Sequence, residues 1–232
     1  MITKKEMKQF VMFPFSIYKN NPYWVPPIIA EELETLNKDK NPAFENAEAR
    51  FFVAIKNNKI VGRIATIINW YEVKKQEIKK MRFGWYDVID DLEVSKALIQ
   101  KVEEIGKKND LEYMEGPVGF SNLDKVGVLI EGFNHIGTMV TWYSLPYYKV
   151  HLENLNFTKE KAITRRLFQV CVMAYTVFLA PFHWPCGILA YFTLNSAIFA
   201  SASVRSCMVA TINSASSILP RRSRSPIRIN RM

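Results

Sequence analysis

The feature that most constrains this chain is where its acids are. All 22 Asp and Glu lie in residues 1–160, with 19 Lys and 3 Arg, so that stretch has no net charge. Residues 161–232 hold 1 Lys, 8 Arg and no acid, and so carry the whole formal charge of +9. At the acid frequency of the first part, 22 in 160, about ten acids would be expected there. Lysine gives way to arginine, and serine rises from 4 in the first 160 residues to 9 in the last 72. A net charge of +9 taken alone points to nucleic acid or a membrane surface. Divided this way, it says nothing about what the neutral part binds. The two compositions require separate readings, with the boundary near residue 161.

Residues 1–160 read as a mixed α/β domain. Met1 to Phe13 is polar and basic, with no apolar core of the kind a secretory signal needs. Met7, Phe10 and Val11 have helical spacing, and Pro14 fits the first turn of a second short helix. Asn21-Pro22-Tyr23-Trp24-Val25-Pro26-Pro27 is held extended by its prolines. Its aromatics either line a ligand cleft or cover one edge of the core. Phe51 to Ile55 and Ile60 to Ile68 are β-type runs around Lys56-Asn57-Asn58-Lys59, a hairpin turn because Asn tolerates positive φ. Glu72 to Lys80 is a charged connector, either a solvated helix or a mobile loop, and Arg82 to Ile89 a third strand. Asp91 is an N-cap for a helix with Val94, Leu98, Val102 and Ile105 on one face, ending near Asn109. Leu111 to Glu115 is a short strand, Val118 to Gly137 a glycine-rich loop, Thr138 to Tyr143 a strand and Tyr147 to Leu155 a helix. This order predicts a mixed sheet with helices packed on it.

Several segments carry a family resemblance. They are Phe13 to Pro27 (FPFSIYKNNPYWVPP), Lys59 to Ala65 (KIVGRIA), Arg82-Phe83-Gly84-Trp85-Tyr86-Asp87, Gly116-Pro117-Val118-Gly119-Phe120 and Glu131-Gly132-Phe133. Over about residues 8–160 the chain resembles the GNAT N-acetyltransferase superfamily, and within it the first half of a bacterial GNAT-like family. The resemblance implies transfer of an acyl group from acetyl-CoA or another acyl-CoA to a small amine.

The resemblance also implies where that chemistry would sit. GNAT enzymes hold the pyrophosphate of acyl-CoA on a glycine-rich loop that opens the helix after the central strand. The matching stretch, Asp90-Asp91-Leu92-Glu93-Val94-Ser95, has no glycine and three carboxylates, which cap a helix and repel a pyrophosphate. Many of these enzymes protonate the leaving thiolate with a Tyr just before a Gly-Phe pair. Leu152 occupies that slot here, five residues before Phe157, and Tyr147 and Tyr148 lie a turn or more upstream. No residue is therefore given a catalytic or cofactor-binding role, and acyl-CoA is expected to bind intact relatives, not this chain.

Residues 161–232 do not look like the second GNAT half that should follow; Gly187 is their one glycine. Leu167 to Val204 runs 38 residues without Asp, Glu, Lys or Arg, which is long enough to span a bilayer. That account leaves Ser206 to Met232, equally free of acid, unexplained. A shift of reading frame near residue 161 explains both, and predicts a truncated acyltransferase whose tail stays off the sheet. The alternatives are a non-catalytic module that makes contacts through Tyr23-Trp24 and loop 116–137, and a protein anchored in a membrane by residues 167–204. The first two imply a cytoplasmic protein, the third a membrane protein.

The Arg-Ser end, Pro220 to Pro226, has no interleaved aromatics and predicts no nucleic-acid partner. His135, His151 and His183 are isolated, and Cys171, Cys186 and Cys207 have no paired spacing, so no metal site is expected. Glu112, Glu115 and Glu131 lie near glycine-rich turns, where a base for an amine would be useful.

Overall fold

The structure, a computed structural model, describes residues 3–121, 124–136, 143–165, 205–213 and 227–232. An N-terminal helix α1 (Lys4–Ile17) and a short α2 (Ile29–Thr35) precede the hairpin β1 (Ala47–Lys56) and β2 (Lys59–Asn69). Asn57 and Asn58 take positive φ at its turn, as the Asn pair predicts. Then come α3 (Trp70–Lys75), β3 (Lys80–Val88), α4 (Leu92–Lys108), β4 (Tyr113–Gly116), β5 (Val128–Glu131), α5 (Tyr147–Asn154), β6 (Thr158–Arg165), β7 (Arg205–Asn213) and β8 (Arg228–Arg231). Among the described residues the strands form one sheet of eight. Its order is β5-β7-β4-β3-β2-β1-β8, with β6 also paired to β7. Only β3 and β4 run parallel. They are joined through α4, because parallel strands need a long crossover. The mixed α/β architecture is the one the sequence predicts.

The alternating strand residues bury two faces. Phe52, Ile64, Ile68, Met81 and Phe83 meet the apolar stripe of α4 (Val94, Leu98, Val102, Ile105) together with Tyr148 and Leu152 of α5. Phe51, Val53, Ala65 and Ile67 meet Phe10 and Val11 of α1 and Leu36 after α2. The result is helix, sheet, helix in three layers.

One irregularity matters for the site. Arg63 of β2 faces Asp87, while Ala65 faces Gly84, so β3 carries one extra residue between them. Trp85 has φ 47° at this bulge. The extra residue reverses the alternation of β3, so Trp85 and Asp87 point to the α1 layer and Tyr86 to the α4 layer. Gly84 allows the chain after β4 to lie against the bulge: a Cβ there would sit 2.5 Å from the Val118 carbonyl oxygen.

Three expectations are corrected. Residues 4–17 are one helix, with Pro14 inside it rather than at the start of a second piece. The glycine-rich stretch after Val118 contains a strand, β5. The connector from Glu72, read as helix or loop, begins as helix within α3. The tail does not stay off the sheet. β6 crosses the compositional boundary, β7 pairs with β4, β5 and β6, and β8 pairs with β1 from Phe52 to Ile55. The physical reason is that β4 and β1 would otherwise leave rows of unpaired N–H and C=O groups. Ile227 and Ile229 pack on the α4-side core, and Met232 is buried in the α1-side core. Leu167 to Val204, with Cys171, His183 and Cys186, lies outside the described residues, as does most of the strand expected at Thr138 to Tyr143. Among the described residues no helix is long and apolar enough to cross a membrane.

Candidate functional site

The C-terminal end of β3 gathers a cluster of buried polar groups. Pro14 has no N–H, so it leaves the Phe10 carbonyl without its helical partner. Arg63 takes that place: its Nη1 donates to Phe10 O at 2.9 Å, and its guanidinium lies over the Phe10 ring at 5.0 Å. Nε and Nη2 of Arg63 donate to Asp87 Oδ2 at 2.8 and 2.7 Å. The side chains of Arg63 and Asp87 are 2% and 1% exposed, so the pair is fully desolvated. On the other carboxylate oxygen, Oδ1, lie the hydroxyls of Tyr18 at 3.0 Å and Tyr148 at 3.4 Å, themselves 3.0 Å apart.

Tyr147 and Tyr148 close the edge of β3. Val88 N–H donates to the Tyr148 oxygen at 3.1 Å, and the Tyr147 hydroxyl donates to Val88 O at 2.7 Å. Burial, reinforced by the Asp87 charge, pushes the Tyr18 hydroxyl well above its usual range; burial, reinforced by Tyr18 and Asp87, does the same to Tyr148. Burial also raises Tyr86 and Tyr147.

A second chain of hydrogen bonds runs from Tyr86 OH to Ser95 Oγ (2.8 Å), on to His151 Nδ1 (2.8 Å), and from His151 Nε2 to Asp90 Oδ1 (3.1 Å). With Nε2–H given to the carboxylate, Nδ1 is left to accept from Ser95. The residue types match a nucleophile, base and orienter, but Ser95 is 0% exposed and a nucleophile must reach a substrate. The array fastens α4 to α5.

The start of α4 does not suit a pyrophosphate. Asp91 caps the helix, accepting from Glu93 N–H, and its carboxylate pairs with Lys56 at 2.7 Å. That pairing holds the Asp91 carboxyl below its usual range. Asp90 is 70% exposed, so its charge faces any incoming phosphate. The residues present do not fit acyl-CoA at this helix end, and Val88 already spends its edge groups on tyrosines.

An open depression of about 560 Å³ lies beside the buried cluster. It is formed where α1 ends and the extended segment begins (Lys19, Asn20, Asn21, Tyr23), against Phe133 and Tyr143. Tyr143 stands edge-on to Tyr18 at 5.9 Å between ring centres, joining the wall of the depression to the buried cluster. Trp24 stacks on Tyr18 at 5.2 Å and meets Phe15 edge-on at 5.1 Å. Tyr23 thus lines the depression, and Trp24 covers the core edge as one of the two sequence readings expects. Among the described residues no Asp or Glu lines the depression, and Lys19 is the one cation.

The other candidates disperse. Glu115 pairs with Lys80 at 3.1 Å and Glu112 with Lys79 at 3.6 Å. Glu131 ends β5 at the surface. Leu152, in the slot of the expected Tyr, is core. Among the described residues no cluster of three His, Cys, Asp or Glu is placed to hold a metal.

The fold is that of the GNAT N-acetyltransferases, as the resemblance implied. An N-acetyltransferase from Staphylococcus aureus Mu50 superposes with a TM-score of 0.50 at 9% identity, over 92% of this chain and 95% of that one. In sequence, the chain is 32% identical over 158 residues to Protein YghO of Escherichia coli (strain K12), covering 68% of this chain and 40% of YghO. It is 29% identical over 133 residues to Bacterial ceramide synthase of Caulobacter vibrioides (strain NA1000 / CB15N), covering 57% of this chain and 35% of that protein. The matched part thus spans well under half the length of these two curated relatives. No protein-family model matches the chain.

Proposed function

We propose that this chain forms the acceptor side of an acyl-CoA-dependent N-acyltransferase whose acceptor is a long-chain amine. The observation that carries the reading is the depression at the end of α1, lined among the described residues by aromatic and amide side chains with Lys19 as the one cation. Similarity to Bacterial ceramide synthase supports the substrate class, because a ceramide is the amide of a long-chain amino alcohol. The site for acyl-CoA is assigned to the greater part of the relatives' length, which the match does not reach.

The chemistry is consistent. An amine attacks a thioester only when unprotonated. Among the described residues no carboxylate of the lining holds the amine in its protonated form, and Lys19 at the rim does not favour a second positive charge. Asn21 Oδ1 already accepts from Tyr23 N–H at 2.9 Å, so the Asn20 side-chain oxygen is the acceptor offered to its N–H groups, and Tyr23 and Phe133 offer aromatic surface for the first carbons of its chain.

The test is a titration of the full chain with a long-chain amino alcohol below its aggregation concentration, followed by tryptophan fluorescence. Trp24 borders the depression and is expected to report saturable binding, with Trp24→Phe losing the signal. Tyr23→Ala is expected to weaken binding about tenfold. Equal affinity in the variant would count against this site.

A further inference from the structure

The outer edge of β1 is filled by a short strand from far along the sequence. β1 pairs with β2 over ten residues, Ala47 to Lys56, but with β8 over only four, Phe52 to Ile55. The hairpin therefore holds β1 in the sheet, and β8 is added to a strand already in place. A ladder of four is shorter than the usual strand, so few hydrogen bonds retain it.

Its seat is specific all the same. Alternation along the segment sends Ile227 and Ile229 to the α4-side core and Met232 to the α1-side core. Met232 is buried, and its N–H donates to Phe51 O at 2.9 Å. Arg228, Asn230 and Arg231 are exposed. The segment thus grips both faces of the sheet at one edge. This is strand addition, in which main-chain hydrogen bonds supply affinity and alternate side chains supply specificity. The occupant lies within reach of its own chain. β7 and β8 are five strand positions apart, about 24 Å. Residues 214–227, which join them, extend to about 46 Å.

We infer that the β1 edge from Phe51 to Ile55 is a docking surface for an extended peptide of the pattern apolar-x-apolar-x-x-apolar, and that residues 227–232 occupy it as a tethered, displaceable ligand. A partner that presents this pattern competes with β8 for the edge. The inference is independent of the acceptor reading above.

Hydrogen exchange of the full chain tests it at Val53 and Ile55. The bond from Met232 to Phe51 sets the phase of the ladder, so the Val53 and Ile55 N–H groups point to β8 and those of Phe52 and Ala54 to β2. Both amides are expected to be protected in the parent. Asn230 faces Val53, and its side chain is exposed, so Asn230→Pro deletes a ladder donor without touching the core. It is expected to speed exchange at Val53 about tenfold. A synthetic peptide of residues 227–232, added to that variant, is expected to restore protection saturably, and the same peptide carrying Ile229→Asp is not. Ile229→Asp in the full chain replaces the proline variant if that does not fold. An unprotected Val53 in the parent, unchanged protection in Asn230→Pro, or no restoration by the peptide would each overturn the inference. So would a parent that sediments as a dimer and an Asn230→Pro variant that does not, which would give β8 to a second copy.

Discussion

Asp87→Ala is expected to cost about 3–5 kcal/mol of folding stability, because it leaves Arg63 charged and buried without its carboxylate. Arg63 is 1% exposed as a residue, so water does not reach it to compensate. The loss extends beyond the pair, since the Tyr18 and Tyr148 hydroxyls also lose their acceptor. Tyr18→Phe removes one hydrogen bond and should cost about 1 kcal/mol, which separates the charge effect from the network effect. Replacing both charges together, Arg63→Met with Asp87→Leu, should recover a large part of the loss, as removal of whole buried pairs does. Urea unfolding of the three variants measures this. A loss under about 1 kcal/mol for Asp87→Ala would mean that the pair is not buried as described.

Above pH 10 the protein should lose stability steeply. A group whose pKa is raised by folding contributes fully below its unfolded value and loses that contribution as pH climbs toward the folded value. Tyr18, Tyr86 and Tyr148 are fully buried and all raised, so each is neutral in the folded chain while its unfolded counterpart ionises near pH 10. Each adds a slope of about 1.4 kcal/mol per pH unit, so the three together give about 4 kcal/mol per unit. Domains of this size are stable by about 5–15 kcal/mol, so alkaline unfolding should be complete within a few pH units of 10. Tyrosinate absorbance and far-ultraviolet circular dichroism, recorded together, check it. These tyrosines should ionise in the same step that loses secondary structure. Gradual ionisation with the dichroism intact would show that the hydroxyls are accessible.

What could be read in the sequence was local. The hairpin at Asn57-Asn58 and the helix capped by Asp91 depend on turn chemistry and spacing within a few residues. What was missed depends on distant partners. Pro14 reads as a helix start, and only Arg63, reaching Phe10 from 53 positions away, shows why a helix can run through it. His151 reads as isolated because Ser95 and Asp90 lie 56 and 61 residues distant. The bulge at Trp85 leaves no sequence mark except Gly84, yet it decides that Asp87 meets Arg63. The absence of acids in the tail concerns composition and does not decide pairing: an open strand edge accepts any backbone that reaches it, so β7 and β8 joined the sheet. Part of the depression was legible, since Tyr23 belongs to a segment recognisable as a cleft wall. Phe133 and Tyr143 were each read locally, in a family motif and at the end of an expected strand, but nothing local says that they meet Tyr23.

In the proposed reading this chain holds the amine and not the acyl donor. Isothermal calorimetry of the full chain against a long-chain amino alcohol and, separately, a long-chain acyl-CoA tests it directly. Saturable heat with the amine, weakened in Tyr23→Ala, and none with acyl-CoA is the predicted result. Saturable heat with acyl-CoA and none with the amine would contradict it.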